Sequence, residues 1–179
     1  DVEDGPGRLG FASDIRRLLD HLAVGRVHFV AHSMGARTAF GLFSRDPERI
    51  ASLVYSGTNG GCVDDRYRAL RTSLEADGTL AGSLLSRALG AGYGEETPAM
   101  RHLYMRIRSL NPTREASFLQ HSGRLPVGRG STAPRLNDSG LPILWVVGDL
   151  DRVVHPDLIR ISHELTPGSQ FALIEGAGH

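Results

Sequence analysis

The chain has 179 residues, with 20 Lys plus Arg against 20 Asp plus Glu, and is 40% hydrophobic and 22% charged. Those values describe a soluble globular protein of one domain's size with a sizeable core, and the zero formal charge argues against nucleic acid or an anionic membrane as a main partner. No apolar run approaches the ~20 residues a membrane helix needs, and the single cysteine, Cys62, excludes an internal disulfide framework and a cysteine-built zinc site.

In chain order, residues 9–23 place Phe11, Ile15, Leu18, Leu19 and Leu22 at helical spacing with charges between them, which predicts an amphipathic helix ending near Gly25. Arg26–Ala31 is short, with valines and a phenylalanine, and reads as a strand. Met34–Ser44 carries small and apolar residues up to Asp46-Pro47 and reads as a helix, and Ile50–Tyr55 as a second buried strand. Gly57-Thr-Asn-Gly-Gly61 is a loop.

From 62 to about 139 short helical patterns alternate with glycines and charges. Tyr67, Leu70 and Leu74 share a helical face, as do Leu80, Leu84 and Leu85, and later Leu103, Ile107 and Leu110. Gly123–Gly140, rich in Gly, Pro, Ser and Arg, reads as a long surface connection. Pro142–Val147 is then a strand, Pro156–Leu165 a helix and Gln170–Ile174 a final strand. Strands alternating with helices predict a parallel α/β sheet, and apolar strands suit burial on both faces.

The join between the first strand and its helix reads Phe29-Val-Ala-His-Ser33-Met-Gly-Ala36. A sharp strand-to-helix turn holds its serine strained and exposed, so small flanks such as Ala31 and Gly35 meet a steric requirement. The turn leaves the Met34 amide at a helix N-terminus, where it can donate to a developing oxyanion. Serine needs a base, and the base a carboxylate. Both types follow at the ends of later strands, in Gly148-Asp-Leu-Asp151-Arg-Val-Val-His-Pro156 and in Glu175-Gly-Ala-Gly-His179. Parallel sheets place their ligand crevice at that edge.

With these three segments the chain resembles the α/β-hydrolase fold family, in particular its group with a helical cap. His32-Ser33-Met34-Gly35 looks like the nucleophile elbow, the Asp151 segment like the acid turn and the His179 segment like the histidine loop. The resemblance implies a mostly parallel α/β-hydrolase sheet with helices on both faces and a helical cap insertion. The core would occupy residues 1–61 and 140–179, with the cap at 62–139. It implies Ser33 as nucleophile, His179 as general base and then acid, Asp151 as its carboxylate and Met34 as an oxyanion donor. The family spacing after the strand-ending glycine selects Asp151, with Asp149 as the alternative. It also implies a strand block and a second oxyanion donor before Asp1 and a helix after His179, so the chain as given is expected to be a fragment.

The activity implied is hydrolysis of a carboxylic ester or lactone, on a small, apolar substrate, with no metal or organic cofactor. The alternatives are carbon–carbon bond cleavage or formation on the same fold, and a non-catalytic ligand binder or inactive remnant. Among neighbouring residues, His32 is expected to pack beside the site, and Arg37 to pair with an acidic residue or bind a substrate carboxylate. Trp145 reads as core. Tyr93, Met100, Tyr104, Met105 and Phe118 are expected to pack within the cap, with contact to an apolar substrate as the alternative, and Cys62 to be a small buried or loop residue. No signal peptide is visible, which makes the cytoplasm the default compartment.

Overall fold

The structure is a computed structural model and describes residues 10–90, 92–110 and 130–179. Helix α1 (Phe11–His21) leads to strand β1 (Val27–His32), helix α2 (Gly35–Arg45) and strand β2 (Ile50–Ser56). Among the described residues four helices follow: α3 (Asp65–Ala76), α4 (Leu84–Ala88), α5 (Tyr93–Glu96) and α6 (Pro98–Ser109). Then come α7 (Ala133–Asp138), strand β3 (Ile143–Gly148), helix α8 (Pro156–Glu164) and strand β4 (Gln170–Ile174). The strands form one sheet in the order β1-β2-β3-β4, parallel throughout.

The sheet's two faces follow from the pleat. On one, Ala31, Leu53, Tyr55, Ile143, Trp145 and Val147 are buried and share a core with Ala36, Ala39, Phe40 and Phe43 of α2 and Ile159 of α8. Trp145 stacks on Tyr55 at 4.8 Å and donates its indole N–H to Thr166 Oγ1 at 2.9 Å. On the other face the alternate residues His28, Val30 and His32 are exposed, Val30 at 68%. Helix α1 rests on α2 through Ala12, which approaches Gly41 so closely that a Cβ there would meet it at 2.9 Å. Leu18 and Leu22, read as part of the buried face of α1, are 49% and 57% exposed, because Ala12 and Leu19 make the inward contact instead.

The residues between β2 and β3 divide by packing. Helix α3 lies on α8, where Tyr67, Leu74 and Leu158 form a second small core that Leu80 joins from the loop after α3. Cys62, Ala133 and Leu136 belong to the main core. The surface connection expected over Gly123–Gly140 is therefore, from Ala133, a helix with buried residues; Gly123–Arg129 lie outside the described residues. Gly and Pro there punctuate a helix whose two inward side chains are too few for a periodic signal. Helix α6 keeps no buried residue. Met100, Tyr104 and Met105, expected to pack, are 50%, 42% and 39% exposed, and Phe118 lies outside the described residues. Among the described residues, no helix is long and apolar enough to cross a membrane.

Candidate active site

Strand β1 carries the chain to the C-terminal edge of the sheet, where Ser33 adopts φ +50°. For a residue with a Cβ that conformation costs about 1–2 kcal/mol, and the turn is held from both sides. The Ser33 N–H extends the ladder by donating to the Ser56 carbonyl at 2.8 Å, and its carbonyl accepts from the Ala36 N–H at 3.2 Å. Met34 caps α2, and its amide has no carbonyl partner among the described residues. Of the two small flanks, Ala31 is buried at 1%, as the steric argument requires. Gly35 is not crowded: a Cβ there would meet nothing within 4 Å among the described residues.

The ends of β3 and β4 bring the other two groups together. Asp151 is 1% exposed. Its Oδ1 accepts the amides of Val153 and Val154 at 2.8 and 2.9 Å, and its Oδ2 lies 2.7 Å from His179 Nδ1. An ionised carboxylate only accepts, so this contact assigns the ring proton to Nδ1 and leaves the Nε2 lone pair free. Asp149 is exposed, with its amide on the Ile174 carbonyl. Among the described residues no hydrogen bond joins Ser33 to the imidazole, a contact that in unliganded sites is often long. The two are neighbours through Gly57 and His32. A Cβ on Gly57 would stand 3.0 Å from the His179 ring and 3.3 Å from Asp151 Oδ2, and the His32 and His179 ring centroids are 4.7 Å apart.

His32 also meets Ser56 Oγ through Nδ1 at 3.2 Å. Partial burial of the ring, and then the facing His179, lower its pKa from the ordinary 6.5 against the opposing pull of Asp151. Cys62 is fully buried against Thr132, and burial pushes its thiol up to about 11, which keeps it an unreactive filler.

A cleft of about 360 Å³ opens beside Ser33, lined by Met34, Ala36 and Arg37 on one wall and Thr58, Asn59, Gly60 and Gly61 on the other. Arg37 is exposed along it and has no carboxylate partner among the described residues. The second wall escaped the sequence reading, although its glycine run follows the strand beside β1. Gly57, Gly60 and Gly61 have φ of +56°, +55° and +82°, which is where glycine is needed. Thr132 braces this loop by donating to the Gly60 carbonyl at 2.9 Å and accepting no room for a Cβ on Gly61. A larger cleft of about 420 Å³, among Arg26, Pro47, Ile50, Arg135 and Asp138, opens at the opposite ends of the strands. It holds none of these groups, and parallel sheets bind ligands at the edge where Ser33 lies. Among the described residues, no group of three or more His, Cys, Asp or Glu is placed to hold a metal ion.

A parallel sheet crossed by helices, with a serine turn and a buried Asp–His pair on its C-terminal edge, defines an α/β protein of the hydrolase type. The chain belongs to the alpha/beta hydrolase fold family, whose profile matches residues 7–179. A curated relative, the putative 2-succinyl-6-hydroxy-2,4-cyclohexadiene-1-carboxylate synthase of Bacillus subtilis, is 26% identical over 182 residues, 93% of this chain and 64% of its own. The chain thus spans a little under two thirds of that relative's length. Among solved structures, a thermophilic esterase from Thermogutta terrifontis superposes with TM-score 0.72 at 20% identity, covering 99% of this chain and 67% of its own. Est816, described as an N-acyl homoserine lactone degrading enzyme, superposes with TM-score 0.66 at 23% identity, covering 98% and 69%. At these identities the structural likeness is one of fold.

Proposed function

We propose that this protein is a serine hydrolase of carboxylic esters or lactones, working through an acyl-enzyme on Ser33. The observation that carries the reading is the buried Asp151–His179 contact at 2.7 Å beside a serine at φ +50° on the turn into α2. As Ser33 Oγ attacks the carbonyl carbon, its proton passes to His179 Nε2, and Asp151 orients the imidazole and stabilises its charged form. The carbonyl oxygen becomes an oxyanion, to which the Met34 amide donates at the positive end of α2. Collapse expels the alcohol, which takes the proton from His179. Water then gives a proton to the same nitrogen and attacks the acyl carbon, and as the second tetrahedral intermediate collapses to the acid the leaving Ser33 Oγ takes that proton back from His179. The esterase and the lactone-degrading enzyme of the same fold support this choice of bond. In this reading residues 62–139 are the cap, the substrate is a small apolar molecule, and the compartment is the cytoplasm.

A second reading, carbon–carbon bond chemistry on a carboxylate-bearing substrate, is favoured by Arg37, which lines the cleft with no carboxylate partner among the described residues, and by the name of the Bacillus relative. One experiment separates them. A fluorophosphonate is expected to add once to the parent protein and not to Ser33→Ala, whose ester or lactone turnover falls roughly 10⁴- to 10⁶-fold. No adduct on folded parent protein would sink the nucleophile assignment. An adduct without turnover across ester and lactone panels, together with retro-cleavage of carboxylate substrates that Arg37→Gln loses, would select the second reading.

A further inference from the structure

The turns that present Asp151 and His179 are clasped from outside by a single stretch of main chain. The His179 amide donates to the Ala88 carbonyl at 2.7 Å, and the Arg152 amide donates to the Arg87 carbonyl at 3.2 Å. The Arg152 Nε reaches back to the Thr79 carbonyl at 2.9 Å, tying the acid turn to the loop before α4. The fit leaves no slack. A Cβ on Gly178 would overlap the Ala88 carbonyl, and a Cβ on Gly90 would meet Leu150 Cδ1 at 2.9 Å and Leu150 Cβ at 3.2 Å. The two turns also hold each other, since the Leu150 amide donates to the Ala177 carbonyl at 2.9 Å and Gly148 packs under that carbonyl. Leu150 precedes Asp151, and Gly178 precedes His179.

We propose that Arg87–Gly90, at the C-terminal end of α4, is a positioning element that holds the His179 imidazole on Asp151, with Gly90 as the residue that sets the fit. The proposal rests on the serine-hydrolase reading for its consequence in turnover, and on packing alone for its geometry. Its physical content is coupling. The stretch belongs to the segment between β2 and β3 that carries α5 and α6, and it bonds directly to the backbone of the base. A shift of α4 therefore moves the imidazole relative to Ser33, which sits on a separate turn braced by β2. Substrate that seats against this segment would set the base as it binds.

The test is Gly90→Val, with Gly90→Ala as the milder change, in the full natural protein. The added methyl groups press on Leu150 and turn the acid segment against the histidine loop. A displacement of about 1 Å at a base costs up to about 100-fold. Gly90→Val is accordingly expected to lower kcat by roughly 10- to 100-fold with KM little changed, to move the acid limb of the kcat/KM profile, and to shift the low-field Nδ1–H proton resonance of His179. Leu150→Ala, which vacates the contested space, is expected to restore much of the loss in the double variant. A loss confined to melting temperature, with resonance and acid limb as in the parent, would overturn the proposal, as would a loss that Leu150→Ala leaves untouched. If the parent takes up no fluorophosphonate, the hydrolase reading falls. The resonance then decides the positioning role by itself: a shift in Gly90→Val upholds it and an unmoved line sinks it.

Discussion

His32 sits where three constraints meet: it precedes Ser33 in the chain, bonds Ser56 on the next strand and faces the ring of His179. Its pKa lies below the ordinary 6.5, chiefly through burial and then through the charge His179 acquires when protonated. The consequence for stability has a definite sign. Above 6.5 the ring is neutral in the folded and unfolded chain alike, so it contributes no pH dependence. Below it, the unfolded chain takes up the proton first, so stability falls as pH drops through the depressed native value. His32→Gln is expected to flatten the melting temperature on the acid side, read by circular dichroism between about pH 5 and pH 7.5. An unchanged slope would assign the acid loss to other groups. The other single-residue facts are of the same kind: Ser33 holds a backbone conformation it disfavours, and Asp151 survives burial because three donors converge on it.

At the scale of elements, the loop after β2 shows how a cleft wall is made. Asn59 supplies its carbonyl to the Cys62 amide at 2.7 Å and its side chain to Tyr67 OH at 2.7 Å, while Thr132 enters from the start of α7 to bond Gly60. Thr132 is 2% exposed. Thr132→Val keeps the shape and removes the donor, leaving the Gly60 carbonyl unpaired, which costs about 1–3 kcal/mol. Urea unfolding is expected to show a lower midpoint at unchanged slope. A midpoint equal to the parent's would mean the loop does not depend on that bond. Of the elements, the four strands and the helices α1, α2 and α8 were legible because long apolar or periodic runs report them. Helix α7 was not, since six residues flanked by Gly and Pro carry too little periodicity. The packing expected of Met100, Tyr104 and Met105 fails for a different reason: helical spacing identifies an apolar face without saying what covers it.

For the whole molecule, the parallel sheet sets the arrangement. Every strand delivers its C-terminal end to one edge, so Ser33, the Thr58–Gly61 loop, Asp151 and His179 gather there although helices α2 to α8 lie along the chain between them.

The amino-acid sequence by itself determined the alternating α/β order, the parallel sheet and the three turns that end β1, β3 and β4, because period and turn chemistry are local properties of the chain. It also held a serine, an aspartate and a histidine in order, at strand ends whose destination the parallel topology dictates. The family resemblance favoured Asp151 over Asp149, and only the tertiary structure supplied the physical difference between two residues of one type: Asp151 is buried and meets His179, and Asp149 is exposed. The same is true of the Gly57 contact with that ring, the Thr132 brace and the clasp of Arg87–Gly90 on the histidine loop. Those contacts join segments 28 to 122 residues apart. Close packing sets them, and no local pattern in the chain records which distant backbone will fill the space a missing Cβ leaves.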